Sequence, residues 1–244
     1  MSNWGFYFNQ DRCFGCNTCA TACKNWNEAR RGDAEINVID DPESYMSEVG
    51  EQDTGSYYIN PETGANNYEL YRKYYMKEDW RRVSIKMTGS VSESNDGTFS
   101  SNVDKRYISI SCNHCDQPAC VEACPMGIIV KSKETGLVLV NNESCISCGK
   151  CKGACPWDAP QFYDTNYKTY ALNDPARPKM TKCTGCLDRI KEGLRPACVA
   201  ACFNRALDAG PIDELKSKYP AATESVSGFN RASTSPNIIF KAKS

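Results

Sequence analysis

The chain has 244 residues, 41% of them hydrophobic, with 29 Lys and Arg against 30 Asp and Glu. A formal charge of −1 leaves no basic stripe for nucleic acid. No apolar run approaches the roughly 18 residues a membrane helix needs, so the chain reads as soluble or peripheral with no direct membrane span.

In chain order, Trp4–Phe8 alternates aromatic and small side chains, which predicts a short strand entering Cys13. The first cysteine run follows, Cys13, Cys16, Cys19 and Cys23, and Thr18–Ala29 reads as a helix with Cys19 and Cys23 on one face. Gly15 is expected to admit backbone N–H groups to the sulfurs as well as to turn the chain. Residues 36–103 hold no cysteine and are rich in Asp, Glu, Ser, Asn, Gly and Tyr. They read as an insertion, with a period-two strand at Trp80–Met87 and an exposed loop at Ser90–Asn102. Its tyrosines Tyr57, Tyr58, Tyr68, Tyr71, Tyr74 and Tyr75 read first as surface residues, and second as a cover for a cofactor or a face for a partner.

Arg106–Ser111 is a second alternating strand, and it enters the run Cys112, Cys115, Cys120, Cys124. Ile128–Val130 and Leu137–Val140 flank a Lys133–Gly136 turn and predict a β-hairpin. It returns the chain to Cys145, Cys148, Cys151 and Cys155. Gln161–Tyr170 is expected to form a more polar hairpin, and Asp174–Pro178 a linker. The fourth run is Cys183, Cys186, Cys198 and Cys202, its last two cysteines carried on a helix over Pro196–Arg205. A short helix at Pro211–Lys218 and an extended Asn237–Lys243 complete a tail longer than cysteine chemistry needs, and expected to dock.

The third run, closed by Pro156, reads C-x2-C-x2-C-x3-C-P, the bacterial ferredoxin signature for [4Fe–4S] ligation. Thiolates are soft enough to hold iron. The last cysteine of such a run ligates the neighbouring cluster. All four runs begin C-x2-C and end C-x3-C, with middle gaps of 2, 4, 2 and 11 residues. Sixteen cysteines match the demand of four cubes, with none left over. Loading them would take the formal charge from −1 to about −9. A disulfide framework belongs to small secreted domains, and this spacing is poor for tetrahedral zinc.

Runs two and three, close in sequence, pair with each other, which leaves runs one and four to pair across the chain. Crossed ligation then gives four sets: Cys13, Cys16, Cys19 with Cys202; Cys183, Cys186, Cys198 with Cys23; Cys112, Cys115, Cys120 with Cys155; and Cys145, Cys148, Cys151 with Cys124. The expected fold is α+β: two ferredoxin-like bicluster modules of short hairpins and helices, nested in one chain. Residues 1–35 with 177–210 form the first module and 104–176 the second, with an insertion at 36–103 and a C-terminal docking tail at 211–244.

The stretches 107–120 (YISISCNHCDQPAC), 154–161 (ACPWDAPQ), 179–186 (KMTKCTGC), 205–215 (RALDAGPIDEL) and 235–239 (SPNII) resemble the iron–sulfur electron-transfer (beta) subunit of the dimethyl sulfoxide reductase, or molybdopterin oxidoreductase, family. The resemblance covers most of the chain, least the insertion. It implies a four-cluster ferredoxin-like subunit bound to a catalytic subunit that carries a Mo/W-bis-pterin cofactor, with a membrane-anchor quinol subunit or a soluble donor as further partner. Two points bear on the comparison. Run four has Cys202-Phe203 in place of Cys-Pro, which leaves its helix exit free to differ. All sixteen positions are cysteine, so four cubes are expected and no [3Fe–4S] centre.

The function read from this is one-electron relay without an active site in the chain, since no nucleophile–base set or phosphate loop stands out. A free-standing polyferredoxin serving several partners is the alternative, and a zinc-stapled structural protein a third. His114, the only histidine, sits in a cysteine knuckle and reads equally as a sulfur ligand's hydrogen-bond donor or as a packed ring. Lys24, Lys150, Lys152 and Lys182 neighbour cysteines and read first as solvated groups, second as tuners of potential. The N-terminus shows no export signal, and Arg30-Arg31 and Arg81-Arg82 are internal. Cytoplasmic synthesis is expected, with the mature chain cytoplasmic or exported folded with a twin-arginine-signalled partner.

Overall fold

A computed structural model describes residues 3–27, 80–162, 177–229 and 231–244. The six insertion tyrosines and most of the expected Gln161–Tyr170 hairpin and 174–178 linker lie outside them. Among the described residues, no helix is long and apolar enough to cross a membrane.

The aromatic run at the N-terminus becomes strand β1, Trp4–Asn9. Successive strand residues point to opposite faces, and both faces of β1 are covered. Phe6 and Phe8 enter one apolar cluster with Leu207, Ile238 and Phe240, while Tyr7 enters another with Leu215 and Ile239. Tyr7 also stacks on Tyr219, centroids 3.6 Å apart.

Further short elements frame the cysteines. α1 is Thr18–Asn27, β2 Arg82–Thr88, β3 Val91–Glu93, β4 Phe99–Ser101 and β5 Asp104–Ile110. α2 is Ala119–Glu122, β6 Ile129–Lys131, β7 Val138–Val140, α3 Lys150–Ala154 and α4 Leu187–Lys191. The C-terminal part adds α5 (Ala197–Ala200), β8 (Leu207–Pro211), α6 (Ile212–Lys218) and β9 (Ile238–Lys241). The main sheet has the order β8-β1-β9. β8 runs antiparallel to β1, Phe8 opposite Leu207, and β9 runs parallel, Phe6 opposite Ile238. The parallel pair joins the two ends of the chain, so almost every element lies within that crossover. β2 and β5 pair antiparallel, placing Val83 and Ile108 in the Phe8 cluster.

Several expectations change in the structure. Ser90–Asn102 is not an irregular loop: β3 and β4 pair antiparallel, Val91 opposite Ser101. The turn between them contains Asp96-Gly97, with Gly97 at φ +79, a strong hairpin signal. The hairpin is fully exposed, so burial left no mark on its sequence. The helix expected over Pro196–Arg205 is only Ala197–Ala200, and Cys202 lies beyond its end. The C-terminal segment docks on this chain's own sheet through β9, whose Phe240 is completely buried.

Alanine in place of Phe240 should therefore cost about 3–5 kcal/mol of stability, as for a buried aromatic, measured by anaerobic denaturant unfolding. Phe99→Ser, on the exposed hairpin, should change stability by no more than about 0.5 kcal/mol in the same assay.

Candidate metal centres

The four knuckles share one backbone. In each, the residue before the second cysteine is left-handed: Gly15 at φ +79, His114 at +45, Ser147 at +53 and Gly185 at +69. This turn aims that residue's N–H back at the first sulfur. Ser147 N–H reaches Cys145 Sγ at 3.4 Å and Gly185 N–H reaches Cys183 Sγ at 3.3 Å. Gly15 and His114 make the same bond to Cys13 and Cys112. Glycine is the easy residue there. At Gly15 it is also the only one that fits, since a Cβ would lie 2.3 Å from the Tyr107 ring. The sequence shows this position as glycine in two runs only, which hides the equivalence of His114 and Ser147.

Three runs also leave the site alike. Gly127, Asp158 and Arg205, each three residues past a final cysteine, have φ of +61, +49 and +52. Each donates its N–H to that cysteine's carbonyl, at 3.2, 3.2 and 2.9 Å. Run four thus keeps the same exit although Phe203 replaces proline, because the i to i+3 turn and not the ring sets the path. Run one differs, since α1 continues past Cys23 to Asn27.

Cysteines of different runs are brought near one another. Cys124, Cys145, Cys148 and Cys151 line one cavity with Ile129, Phe162 and Met180. Cys13, Cys16, Cys19 and Cys202 line another with Phe8, Val83 and Leu207. Cys120 lies within the field of Cys112, Cys155 and Cys115, and Cys23 within that of Cys183, Cys198 and Cys186. All sixteen thiols are free of disulfides. Among the described residues, no three His, Cys, Asp or Glu side chains converge as the ligands of one ion would.

Iron–sulfur clusters fit these surroundings. Burial, then the neighbouring sulfurs of the same quartet, lifts the Cys120, Cys151 and Cys186 thiols to about 12. Four such groups ionise together only around a cationic core. Donors wait for sulfur acceptors. The buried Trp157 Nε1 and Thr234 Oγ1 have no hydrogen-bond partner among the described residues, and both side chains work against the burial that raises the Cys115 thiol. Further backbone N–H groups point the same way, Ala159 to Cys155 Sγ at 3.5 Å and Ala206 to Cys202 Sγ at 3.3 Å.

Sequence reasoning missed Arg81, only 1% exposed and inserted beside the first and last runs. Its guanidinium donates to Ser109 O at 3.2 Å, Ser109 Oγ at 3.1 Å and Ser111 Oγ at 2.8 Å, and lies 4.7 Å from the Phe6 ring centroid. No carboxylate among the described residues pairs with it. Burial works against its charge, but Cys198, Cys19, Cys183 and Cys23 outweigh this and raise its pKa. Ser109 Oγ in turn lies 3.2 Å from Cys19 Sγ. A polar residue inside a strand's alternating pattern was the only available sign.

Lys182 corrects the surface reading given to the cysteine-flanking lysines, for it is 1% exposed and its Nζ lies 3.7 Å from Cys112 Sγ. Lys24 and Lys150 are exposed, and Lys152 pairs with Asp158 at 2.9 Å. His114 is fully buried, so its ring faces no solvent.

Comparison with known proteins adds a lineage to this geometry. A family model described as a 4Fe-4S dicluster domain matches residues 103–212, and one described as a 4Fe-4S binding domain matches residues 10–26. The B subunit of the anaerobic dimethyl sulfoxide reductase of Haemophilus influenzae is 34% identical over 241 residues, 99% of this chain and 90% of that protein. Its counterpart in Escherichia coli K12 is 35% identical, over 98% of this chain and 89% of its own. The perchlorate reductase beta subunit of Dechloromonas aromatica is 38% identical, but over only 46% of this chain and 30% of its own. Cysteine knuckles of one geometry and end-to-end similarity lead to the same place: this chain belongs to the family of iron–sulfur B subunits of anaerobic dimethyl sulfoxide reductases, electron-transfer chains and not catalytic ones.

Proposed function

We propose that the chain carries four [4Fe–4S] clusters in two interlocked pairs and relays single electrons to or from the Mo/W-bis-pterin cofactor of a separate catalytic subunit. The observation that carries this is the make-up of the quartets. Each gathers three cysteines of one run and the last cysteine of another, the crossed pattern of two-cluster ferredoxins. When bound, the clusters supply reversible one-electron exchange. The chain's own residues hold them, aim N–H groups at the cysteine sulfurs, and place Arg81 beside Cys19 and Cys198 to favour negative charge there.

The similarity to reductase B subunits over nearly the full length supports a dedicated subunit in preference to a free-standing polyferredoxin. A membrane-anchor quinol subunit or a soluble donor completes the relay in this reading. The exposed aromatic pair Phe14 and Phe203, ring centroids 5.5 Å apart, lies at the rim of the Cys13 quartet.

Anaerobically purified protein should hold about sixteen irons per chain, and should bring down a large pterin-containing subunit with it. Far fewer irons, or turnover by this chain alone, would overturn the reading. Cys23→Ser should perturb the EPR signal of the cluster on Cys183, Cys186 and Cys198 and leave that on Cys13 unchanged; the reverse result refutes the crossed pairing.

Stripping the iron with a chelator should abolish cooperative unfolding, since sulfurs sit inside three of the four apolar clusters. Retention of a sharp unfolding transition in the iron-free chain, followed by near-ultraviolet circular dichroism, would show that the carbon core suffices.

A further inference from the structure

One polar junction lies between quartets of different runs. His114 occupies the left-handed knuckle position of run two at φ +45, a conformation that costs a non-glycine residue energy and persists only where contacts enforce it. Asn237 Nδ2 donates to its carbonyl at 2.8 Å and Lys131 Nζ at 3.3 Å. The Val138 N–H donates to His114 Nδ1 at 3.0 Å. That bond fixes the tautomer: Nδ1 accepts, so the proton sits on Nε2. Nε2 is buried and has no hydrogen-bond partner among the described residues, and the imidazole lies within the influence of the Cys112 and Cys183 sulfurs.

Lys182 enters the same junction. Its ammonium donates to the carbonyls of Val138 and of Cys183, the latter at 3.0 Å, and stands 3.7 Å from Cys112 Sγ. A single residue's backbone thus pins both groups, with Val138 N–H on the imidazole and Val138 C=O on the ammonium. No carboxylate among the described residues pairs with Lys182.

We propose that His114 and Lys182 are positioning residues shared by two clusters, the one on Cys112, Cys115, Cys120 and Cys155 and the one on Cys183, Cys186, Cys198 and Cys23, and that they set both reduction potentials together. The inference rests on the four-cluster reading above. Its physical ground is that an added electron makes a cluster more negative, which a buried ammonium and an N–H donor both favour. In a low-dielectric interior that field is poorly screened and reaches the sulfurs on each side.

The test is an EPR-monitored redox titration of the purified complex. Lys182→Met and His114→Phe should each lower the same two of the four midpoints, by at least about tenfold in the one-electron equilibrium (~59 mV). Lys182→Arg and His114→Gln should restore most of each shift. A shift in one cluster alone, in all four alike, or in none would overturn the inference. Absence of four cluster signals in the unsubstituted complex would instead remove the four-cluster reading, and this inference with it.

A measurement without substitutions covers the case in which the variants lose iron. His114 is the chain's only histidine, so 15N-histidine labelling of the wild-type complex reports it directly. Nitrogen hyperfine coupling is expected on two of this chain's clusters; coupling on one or on none would refute a shared residue.

Discussion

Positive charge buried against sulfur is the constraint on which this molecule turns. Arg81 and Lys182 are each 1% exposed and have no carboxylate partner among the described residues. A lone buried cation costs several kcal/mol or more unless something negative compensates it. Here the compensating groups are cysteine sulfurs, Cys198 and Cys19 for Arg81 and Cys112 for Lys182. Crowded thiolates are themselves unfavourable, because burial and mutual repulsion raise Cys23, Cys151 and Cys186. Each half of the arrangement needs the other, and both need the iron core that family membership implies.

The backbone serves this electrostatic scheme. A left-handed residue before the second cysteine turns an N–H onto the first sulfur in all four runs, whatever side chain occupies the position. At Gly15 the side chain must be absent because Tyr107 fills the space. At His114 the same turn carries an imidazole to a place between two quartets. The strand segments close the molecule around these loops. β9 returns from the far end of the chain to lie against β1, and Asn237, just before it, holds the carbonyl of His114. The tail is therefore tied both to the sheet and to a cysteine knuckle.

Much of this was legible without coordinates, where local spacing dictates chemistry. The C-x2-C and C-x3-C intervals marked four cysteine runs as iron–sulfur motifs, and short alternating runs marked β1, β2, β5 and the β6–β7 hairpin. The exposed β3–β4 hairpin escaped because neither of its faces is buried, so it has no apolar alternation. The proline missing after Cys202 misled because the exit depends on a hydrogen-bonded turn and not on that ring.

By itself, then, the sequence determined that the chemistry is iron–sulfur chemistry on cysteine, since ligand preference follows residue type and near-neighbour spacing. Tertiary structure alone decided which cations are buried beside them. Arg81 precedes Cys183 by about a hundred positions, and Lys182 follows Cys112 by seventy. Only folding brings such groups into contact, and charge–charge energy depends on distance in space and on the exclusion of water, neither of which is written into the order of residues.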